Sequence, residues 1–92
     1  MNPQVIGCSE LEATRLAYGC WRLADGENEE VGKKAVRTAL ETGYTLFDHA
    51  DIYGDNECER IFGEVLRESP EVRDSLVIAS KCGIRKPGDP TP

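Results

Sequence analysis

The amino-acid sequence predicts an α/β fold in which a β-hairpin precedes about three parallel strands and two helices. Two segments with helical periodicity, roughly Glu29–Thr42 and a stretch that opens at Asp55–Glu59, alternate with short runs rich in β-branched and aromatic residues. Strands that alternate with helices of this length pair in parallel through right-handed crossovers. The predicted order is therefore hairpin, strand, helix, strand, helix, strand.

The N-terminal segment carries the signs of a hairpin. Two short β-like stretches, Gln4–Ile6 and Ala13–Ala17, flank the polar residues Ser9–Glu12. The second stretch runs on to Gly19, where the first strand of the sheet is expected to end. Asp25–Asn28 then supplies turn residues and a candidate N-cap for the first helix.

The first helix is predicted over Glu29–Thr42. Gly43 suits the left-handed position that follows the last residue of a helix. Tyr44–Asp48 is then expected to form a short strand, and its consecutive apolar residues are typical of a strand covered on both faces. The helical residues expected to share one buried face are Val31, Ala35, Ala39 and Leu40.

The second helix is predicted to end at Ser69–Pro70, because a proline disfavours helical backbone in the residue before it. Asn56 and Glu59 have the spacing of a capping box at its start. After an acidic connector, Leu76–Lys81 is expected to form a third buried strand. The residues expected to form the buried stripe of this helix are Ile61, Phe62, Val65 and Leu66.

The composition argues against several classes of protein. Of 92 residues, 39% are hydrophobic and 30% charged, which are ordinary values for a soluble domain. A formal charge of −6 disfavours a nucleic-acid partner, because such binding relies on Lys and Arg neutralising phosphates. No apolar run approaches the ~20 residues that cross a bilayer, and the first residues lack a secretory signal. We therefore expect a cytoplasmic protein without membrane or nucleic-acid partners.

The cysteines do not form a recognisable site. No Cys-x-x-Cys pair is present, which disfavours a zinc ribbon or a thioredoxin-type centre. In the cytoplasm the thiols stay reduced, and we expect them to pack as small, buried or half-buried hydrophobic residues. The four positions are Cys8, Cys20, Cys58 and Cys82.

An acid, a phenol and an amine are predicted to meet at one edge of the sheet. Asp48 ends one strand, Tyr53 lies in the following loop, and Lys81 ends the next strand. The C-terminal ends of parallel strands converge on one rim, where the active sites of βα proteins are built. Asp48 would keep Lys81 protonated, and that cation would favour the phenolate form of Tyr53. Such a tyrosine can donate a proton to a carbonyl oxygen while a cofactor delivers hydride to the carbon.

Each of these residues also has a structural interpretation. Taken alone, Tyr53 would be a packed loop aromatic, Lys81 a solvated residue at a strand end, and Asp48 a cap of the following turn. Asp48, His49 and Asp51 also suggest metal ligands, but adjacent strand residues such as Asp48 and His49 point to opposite faces. The sequence therefore predicts no metal site.

Three separated motifs, in a specific order and spacing, carry a family resemblance. They are Gly19-Cys20-Trp21, the run Gly43–Gly54 with the pattern Gly-Tyr-x-x-Phe-Asp-x-Ala-Asp-x-Tyr-Gly, and Ala79-Ser80-Lys81-Cys82-Gly83. Together they resemble the aldo-keto reductase family, and a bacterial oxidoreductase branch of it most closely. The resemblance covers nearly all of the chain and is clearest between Arg15 and Gly83.

The resemblance implies a fold and an activity. The fold would be a (β/α)8 TIM barrel, closed at its N-terminal mouth by the hairpin. The activity would be the reduction of aldehydes or ketones with NADPH bound at the C-terminal rim. Asp48, Tyr53 and Lys81 match three members of the family's catalytic tetrad of Asp, Tyr, Lys and His. The choice between NADP and NAD and the identity of the carbonyl substrate stay open.

The resemblance also implies the binding residues. Gly19 and Cys20 belong to the loop whose backbone approaches the nicotinamide end of the cofactor, with Trp21 and Asp48 beside them. Trp21 would also form a wall of the substrate pocket, next to Tyr53.

The sequence departs from the family pattern in one respect. The family's catalytic histidine lies on the fourth barrel strand, beyond the present sequence, and His49 is no substitute because it points away from the face that carries Asp48. The segments that hold most of the cofactor also lie downstream in the family. We therefore expect residues 1–92 to be the N-terminal fragment of one barrel domain, inactive alone. The alternative is a non-enzymatic half-barrel module that assembles with a partner chain, and the oligomeric state stays open.

Overall fold

The computed structural model describes residues 2–90 and has the predicted α/β architecture. The first residue and the last two of the predicted 1–92 domain lie outside the described residues. A two-stranded hairpin precedes a three-stranded sheet with helices in the crossovers. In chain order the elements are β1 (Pro3–Val5), β2 (Glu12–Thr14), β3 (Ala17–Gly19), α1 (Glu29–Thr42), β4 (Leu46–Asp48), α2 (Cys58–Glu68), a 3-10 helix (Pro70–Ser75) and β5 (Val77–Ala79).

Strands β1 and β2 pair antiparallel and form the predicted hairpin. The Ser9 hydroxyl donates to the Ile6 carbonyl oxygen at 2.6 Å and stabilises the turn. The predicted stretch Ala13–Ala17 is divided between β2 and β3, and Thr14 connects the two sheets at this point. The Thr14 amide donates to the Thr45 hydroxyl at 2.9 Å, and the Thr45 amide donates to the Thr14 hydroxyl at 3.2 Å. These two bonds fasten the hairpin to the base of the parallel sheet.

Strands β3, β4 and β5 form a parallel sheet in that order, as the alternation of elements predicts. Tyr18, Phe47 and Ile78 lie side by side in register and pack into the hydrophobic core beneath the helices. We call this side of the sheet the helix-covered face. Neighbouring residues on each strand point to the other side, the inner face, which carries Gly19 and Asp48.

Helix α1 begins and ends at the predicted residues because both ends are capped locally. The Asn28 side chain accepts a hydrogen bond from the Glu30 amide at 3.0 Å. At the other end Gly43 has a φ of 107°, in the left-handed region that favours glycine. Its amide donates to the carbonyl oxygens of Ala39 and Leu40, which have no partner within the helix.

The predicted buried face of α1 is partly wrong. Ala39 is buried as predicted, whereas Val31 is 52% exposed. A Cβ atom on Gly32 would lie 2.1 Å from the Leu23 carbonyl oxygen, so the helix approaches the preceding loop closely through this glycine. The contact turns Gly32 inward and Val31 outward. The buried residues of α1 are Gly32, Val36 and Ala39, and the predicted Ala35 and Leu40 are partly buried beside them.

Helix α2 has the predicted apolar stripe, but its predicted cap is wrong. Asn56 has a φ of 73° and belongs to the turn that precedes the helix. The side chain of Glu57, the residue before α2, does not cap a backbone amide of the helix and accepts from the Arg60 side chain instead. No capping box of Asn56 and Glu59 forms, because left-handed backbone at Asn56 places it outside the geometry of a cap. The residues buried on α2 are Cys58, Ile61, Phe62 and Val65, and Leu66 is partly buried.

The third strand is less buried than predicted. Of the predicted stretch Leu76–Lys81, Leu76 is buried, while Ala79 and the residues after it are exposed. Strand β5 lies at the edge of the sheet within residues 2–90, so no strand or helix covers its outer side there. The prediction of a buried strand over Leu76–Lys81 is therefore wrong for Ala79 and the residues after it.

Two cysteines are buried and two are exposed, so the prediction that all four are buried or half-buried is wrong for half of them. Cys20 and Cys58 lie in the core, whereas Cys8 and Cys82 are exposed. All four are free thiols. Within residues 2–90 no helix is long and apolar enough to cross a membrane.

Candidate active site

The C-terminal ends of the parallel strands form a rim on which the predicted site residues gather. Gly19 on β3, Asp48 on β4 and Ala79 on β5 are partners in register. The loops that leave these strands carry Trp21, Tyr53 and, two residues beyond β5, Lys81. Parallel strands joined by helical crossovers thus bring together side chains that lie far apart in sequence.

Lys81 forms an ion pair with Asp48 on this rim. Its ammonium nitrogen Nζ lies 2.8 Å from Asp48 Oδ1 and 2.7 Å from the His49 carbonyl oxygen, and it donates to both. The hydrogen bond to Asp48 raises the pKa of Lys81 above its usual value, burial acts in the opposite direction, and Tyr53 adds to the increase. The sequence predicted a buried lysine, but the two side chains are 49% and 44% exposed. Lys81 stays protonated through its contacts.

Tyr53 lies beside this ion pair. The Lys81 ammonium nitrogen is 5.3 Å from the centroid of the Tyr53 ring. The loop that carries Tyr53 is tightly turned: Gly54 has a φ of 61°, and a Cβ atom there would lie 2.6 Å from Cys58 Sγ. The Tyr53 carbonyl oxygen accepts from the Cys58 amide at 3.2 Å, which joins the loop to the first turn of α2. The phenol, the ammonium and the carboxylate are therefore neighbours, and their predicted catalytic roles stay predictions.

His49 lies on the helix-covered face, opposite to Asp48, as the alternation of strand residues predicts. It is 1% exposed, and its ring centroid lies 4.5 Å from that of Phe62. Burial lowers the pKa of His49, while Glu59 and Asp48 act in the opposite direction. Neither ring nitrogen has a hydrogen-bond partner among the described residues. The imidazole is therefore part of the core, and only its backbone carbonyl reaches the site.

Gly19, Cys20 and Trp21 line the rim next to Asp48 in different ways. Gly19 is exposed on the inner face, and Trp21 is 60% exposed. The Cys20 side chain is fully buried, and burial raises the pKa of its thiol to about 12. The Cys20 amide donates to the Asp48 carbonyl oxygen at 2.9 Å, and the Cys20 carbonyl oxygen accepts from the Leu23 amide at 3.4 Å. Cys20 therefore offers a ligand only the surface of its backbone, while Trp21 offers an exposed aromatic side chain, with Arg22 Cζ 5.5 Å from its ring centroid.

Several contacts that shape this rim were missed by the sequence analysis. The Lys81 carbonyl oxygen accepts from the Asp51 amide at 3.0 Å, and the Ser80 hydroxyl donates to Glu59 Oε2 at 2.5 Å. The backbone contact leaves no pattern in the sequence. The Ser80 contact joins residues 21 positions apart, and Glu59 has an equally good interpretation as a charge at a helix N-terminus.

Comparison with known proteins agrees with the motifs. The sequence profile of the Aldo/keto reductase family matches residues 15–91. Oxidoreductase YdhF of Escherichia coli is 42% identical over 74 residues, covering 79% of this chain and 25% of that protein. A 6-dehydroglucose reductase of Agrobacterium fabrum is 38% identical over 80 residues, covering 85% of this chain and 27% of the reductase. The holo structure of aldo-keto reductase AKR11C1 from Bacillus halodurans matches with a TM-score of 0.80 and 28% identity, covering 98% of this chain and 29% of that one.

The chain spans less than a third of the length of each of these proteins. Its hairpin and its three parallel strands correspond to one part of their (β/α)8 barrel, which confirms the predicted partial-barrel fold. The profile match, the relatives and the shared fold together confirm the resemblance carried by the three motifs. The chain belongs to the aldo/keto reductase family.

Proposed function

We propose that this chain contributes the proton donor of an oxidoreductase that reduces aldehyde or ketone carbonyls to alcohols with NADPH. The observation that carries the proposal is the Asp48–Lys81 ion pair, 2.8 Å long, with the Tyr53 ring beside it on the rim. In this arrangement an amine that stays protonated lies next to a phenol. We infer that Asp48, Tyr53 and Lys81 are catalytic residues.

The proposed proton transfer follows from the charges at the site. Asp48 holds the ammonium of Lys81 in place and favours its protonated form. The Lys81 cation stabilises the phenolate that Tyr53 becomes after it donates its proton to the carbonyl oxygen of the substrate. The phenolate is reprotonated from solvent, which reaches the half-exposed side chains of the site. Tyr53 therefore binds the substrate oxygen and acts as general acid.

The residues around Asp48 fit the flat reactive end of a nicotinamide. Gly19 presents bare backbone on the inner face, and Trp21 provides an exposed aromatic surface beside it. We assign the cofactor contacts to Gly19, the Cys20 backbone, Trp21 and Asp48, and the wall of the substrate pocket to Trp21. When bound, NADPH would supply the hydride, because no protein side chain can.

We propose that residues 1–92 form the N-terminal part of a single barrel domain and do not turn over substrate alone. Support comes from relatives of which the chain spans about a quarter and from the exposed inner face of the sheet. We also propose the cytoplasm as the compartment, since the four cysteines are free thiols. A carbonyl compound is the proposed small-molecule partner, and the net charge of −6 argues against a nucleic acid.

The test is a Tyr53→Phe variant of the protein expressed from its complete coding sequence. We expect the variant to lose about a hundredfold or more in the rate of NADPH oxidation with an aromatic aldehyde, because the proton donor is absent. Cofactor affinity, measured by quenching of protein fluorescence, should stay close to that of the parent protein. A variant with near-normal turnover would remove Tyr53 from the chemistry. Rapid turnover by the isolated 92-residue chain would contradict the proposed inactivity.

A second candidate function is a half-barrel module that assembles with a partner chain. The observation that favours it is the open sheet: within residues 2–90, β3 and β5 each have one unpaired edge. Unpaired strand edges accept further strands. Size-exclusion chromatography of the isolated chain distinguishes the two functions. A folded oligomer of defined size supports assembly, and soluble aggregate supports a fragment of one reductase barrel.

A further inference from the structure

We propose that the first turn of α2 sets the distance between Tyr53 and Lys81, and that Glu59 and Ser80 are positioning residues that hold Lys81. The inference rests on the proposed function, because it concerns the same proton donor. It assigns to Glu59 a role beyond that of a helix N-terminal charge.

The side chain of Lys81 is held by Asp48 and the His49 carbonyl oxygen, but its backbone has few contacts. The ladder between β4 and β5 ends where the His49 amide donates to the Ala79 carbonyl oxygen at 2.8 Å. Beyond this point Ser80 and Lys81 have left the sheet. Among the described residues, the backbone of Lys81 then has one further bond, from the Asp51 amide to its carbonyl oxygen at 3.0 Å. No strand covers the outer side of this segment within residues 2–90.

The second step is the contact that compensates for this. The Ser80 hydroxyl donates to Glu59 Oε2 at 2.5 Å, a length typical of a strong hydrogen bond to a charged acceptor. Glu59 lies in the first turn of α2, where the helix dipole favours its negative charge. The two side chains line an open cavity of about 300 Å³ together with Asp51, Lys81 and Cys82.

The third step is that the same turn of helix also holds the tyrosine. The Cys58 amide, one residue before Glu59, donates to the Tyr53 carbonyl oxygen at 3.2 Å. One rigid element therefore binds the loop of the proposed proton donor through Cys58 and the strand end of its cationic neighbour through Glu59. A displacement of about 1 Å at a catalytic group can reduce a rate about a hundredfold, so a link that fixes this distance affects turnover.

The experiment compares Ser80→Ala and Glu59→Gln in the protein expressed from its complete coding sequence. We expect each variant to reduce kcat about tenfold, with an unchanged KM for NADPH. The loss is smaller than the roughly hundredfold loss expected from a displacement of about 1 Å, because Lys81 would be displaced only in part. The double variant should lose no more than either single one, because both remove the same bond. Ser80→Thr, which keeps the hydroxyl, should restore kcat.

Glu57→Gln is the matched control. Glu57 carries the same charge at the same helix end, but its partner is Arg60 on α2, with 2.8 Å between Arg60 Nη2 and Glu57 Oε1. If Glu59 acts only on the helix dipole, both glutamine variants should lower the unfolding midpoint alike, and Ser80→Ala should have full kcat. That result would overturn the inference.

A second readout does not depend on turnover. The nitrogen-15 NMR signal of the Lys81 ammonium should be sharp in the parent protein and in Glu57→Gln, and broadened in Ser80→Ala. An unchanged signal together with full kcat in Ser80→Ala contradicts the positioning role. The proposed function fails separately if Tyr53→Phe turns over normally, and in that case the NMR comparison still tests the link.

Discussion

The two faces of the parallel sheet differ in what they do. On the helix-covered face Phe47 and His49 are almost completely buried against α2. On the inner face Asp48, which lies between them in sequence, is half-exposed and binds Lys81. One strand thus sends its core residues and its proposed catalytic residue in opposite directions, because successive side chains alternate across a strand. The core residues and the proposed catalytic residue are therefore separated by a single position in the sequence.

Ion pairs strengthen the helix-covered side further. Arg60 Nη2 on α2 lies 2.7 Å from Glu29 Oε2 on α1, and Arg37 Nη2 on α1 lies 2.7 Å from Glu68 Oε2 on α2. All four side chains are half-exposed, so each pair alone contributes little. Together the two pairs join α1 to α2 over the sheet. The rim of the inner face has fewer ion pairs among the described residues. The hydrogen bonds that hold Lys81 are therefore the main contacts that fix its position there.

Phe47→Ala is expected to cause the largest loss of stability, because Phe47 belongs to the helix-covered face. Phe47 is fully buried and its ring contacts those of Tyr18 and Phe62. We expect the free energy of unfolding, measured by urea denaturation, to fall by about 4 kcal/mol, as for other large-to-small changes of a buried phenylalanine. Leu16→Ala is the control, because Leu16 is 61% exposed. If the two variants lost equal free energy of unfolding, the helix-covered face would not be the one that stabilises the fold.

A smaller loss is expected from Gly32→Ala. In an ordinary helix this change stabilises by about 1 kcal/mol. Here the new Cβ atom would meet the Leu23 carbonyl oxygen at 2.1 Å, so the backbone must shift, and we expect a net loss of about 2 kcal/mol. Gly63→Ala in α2 is a matched control, since no atom lies within 4 Å of a Cβ atom there. Stabilisation by both substitutions would show that α1 is not held by this contact.

The stability of the fold is expected to depend on pH through His49. Burial lowers the pKa of His49 below 6.5, so its imidazole is neutral in the folded chain at pH values where the unfolded chain is already protonated. Above pH 6.5 His49 is neutral in both the folded and the unfolded chain, so it does not change the free energy of unfolding. As the pH falls below 6.5 the unfolded state gains the proton first, and stability decreases by at most about 1.4 kcal/mol per pH unit.

The control for this prediction is His49→Phe, which keeps an aromatic ring against Phe62 but cannot titrate. Between pH 7 and pH 5 we expect the free energy of unfolding, measured in urea, to fall less in this variant than in the parent protein. The difference between the two should be no larger than the contribution of a single titrating proton. Identical pH profiles would mean that His49 titrates normally and is not part of the core.

The sequence predicted elements whose signals are local. The ends of α1 follow from Asn28 and Gly43, and the predicted bounds are confirmed. The buried face of that helix depends on the contact between Gly32 and Leu23, which no helical periodicity reveals, and Val31 was misplaced for this reason.

The gathering of the site residues followed from topology. Parallel strands with right-handed crossovers place Asp48 and Lys81 on one rim whatever the details of packing. The exposure of Asp48 and Lys81 could not be predicted from this topology, because it depends on which parts of the barrel cover the rim. The Glu59–Ser80 contact joins two elements and leaves no pattern in the sequence. The left-handed backbone of Asn56 was not predicted, because the spacing of Asn56 and Glu59 also matches a capping box.

The role of the inner-face ion pair in proton transfer can be measured through the kcat of Lys81→Met in the protein expressed from its complete coding sequence. Lys34→Met, at an exposed position of α1, is the matched control. We expect Lys81→Met to remain folded, with an unfolding midpoint near that of the parent, and to lose about a hundredfold or more in carbonyl reduction, while the control keeps full activity. Folded Lys81→Met protein with parental kcat would mean that the ion pair takes no part in proton transfer.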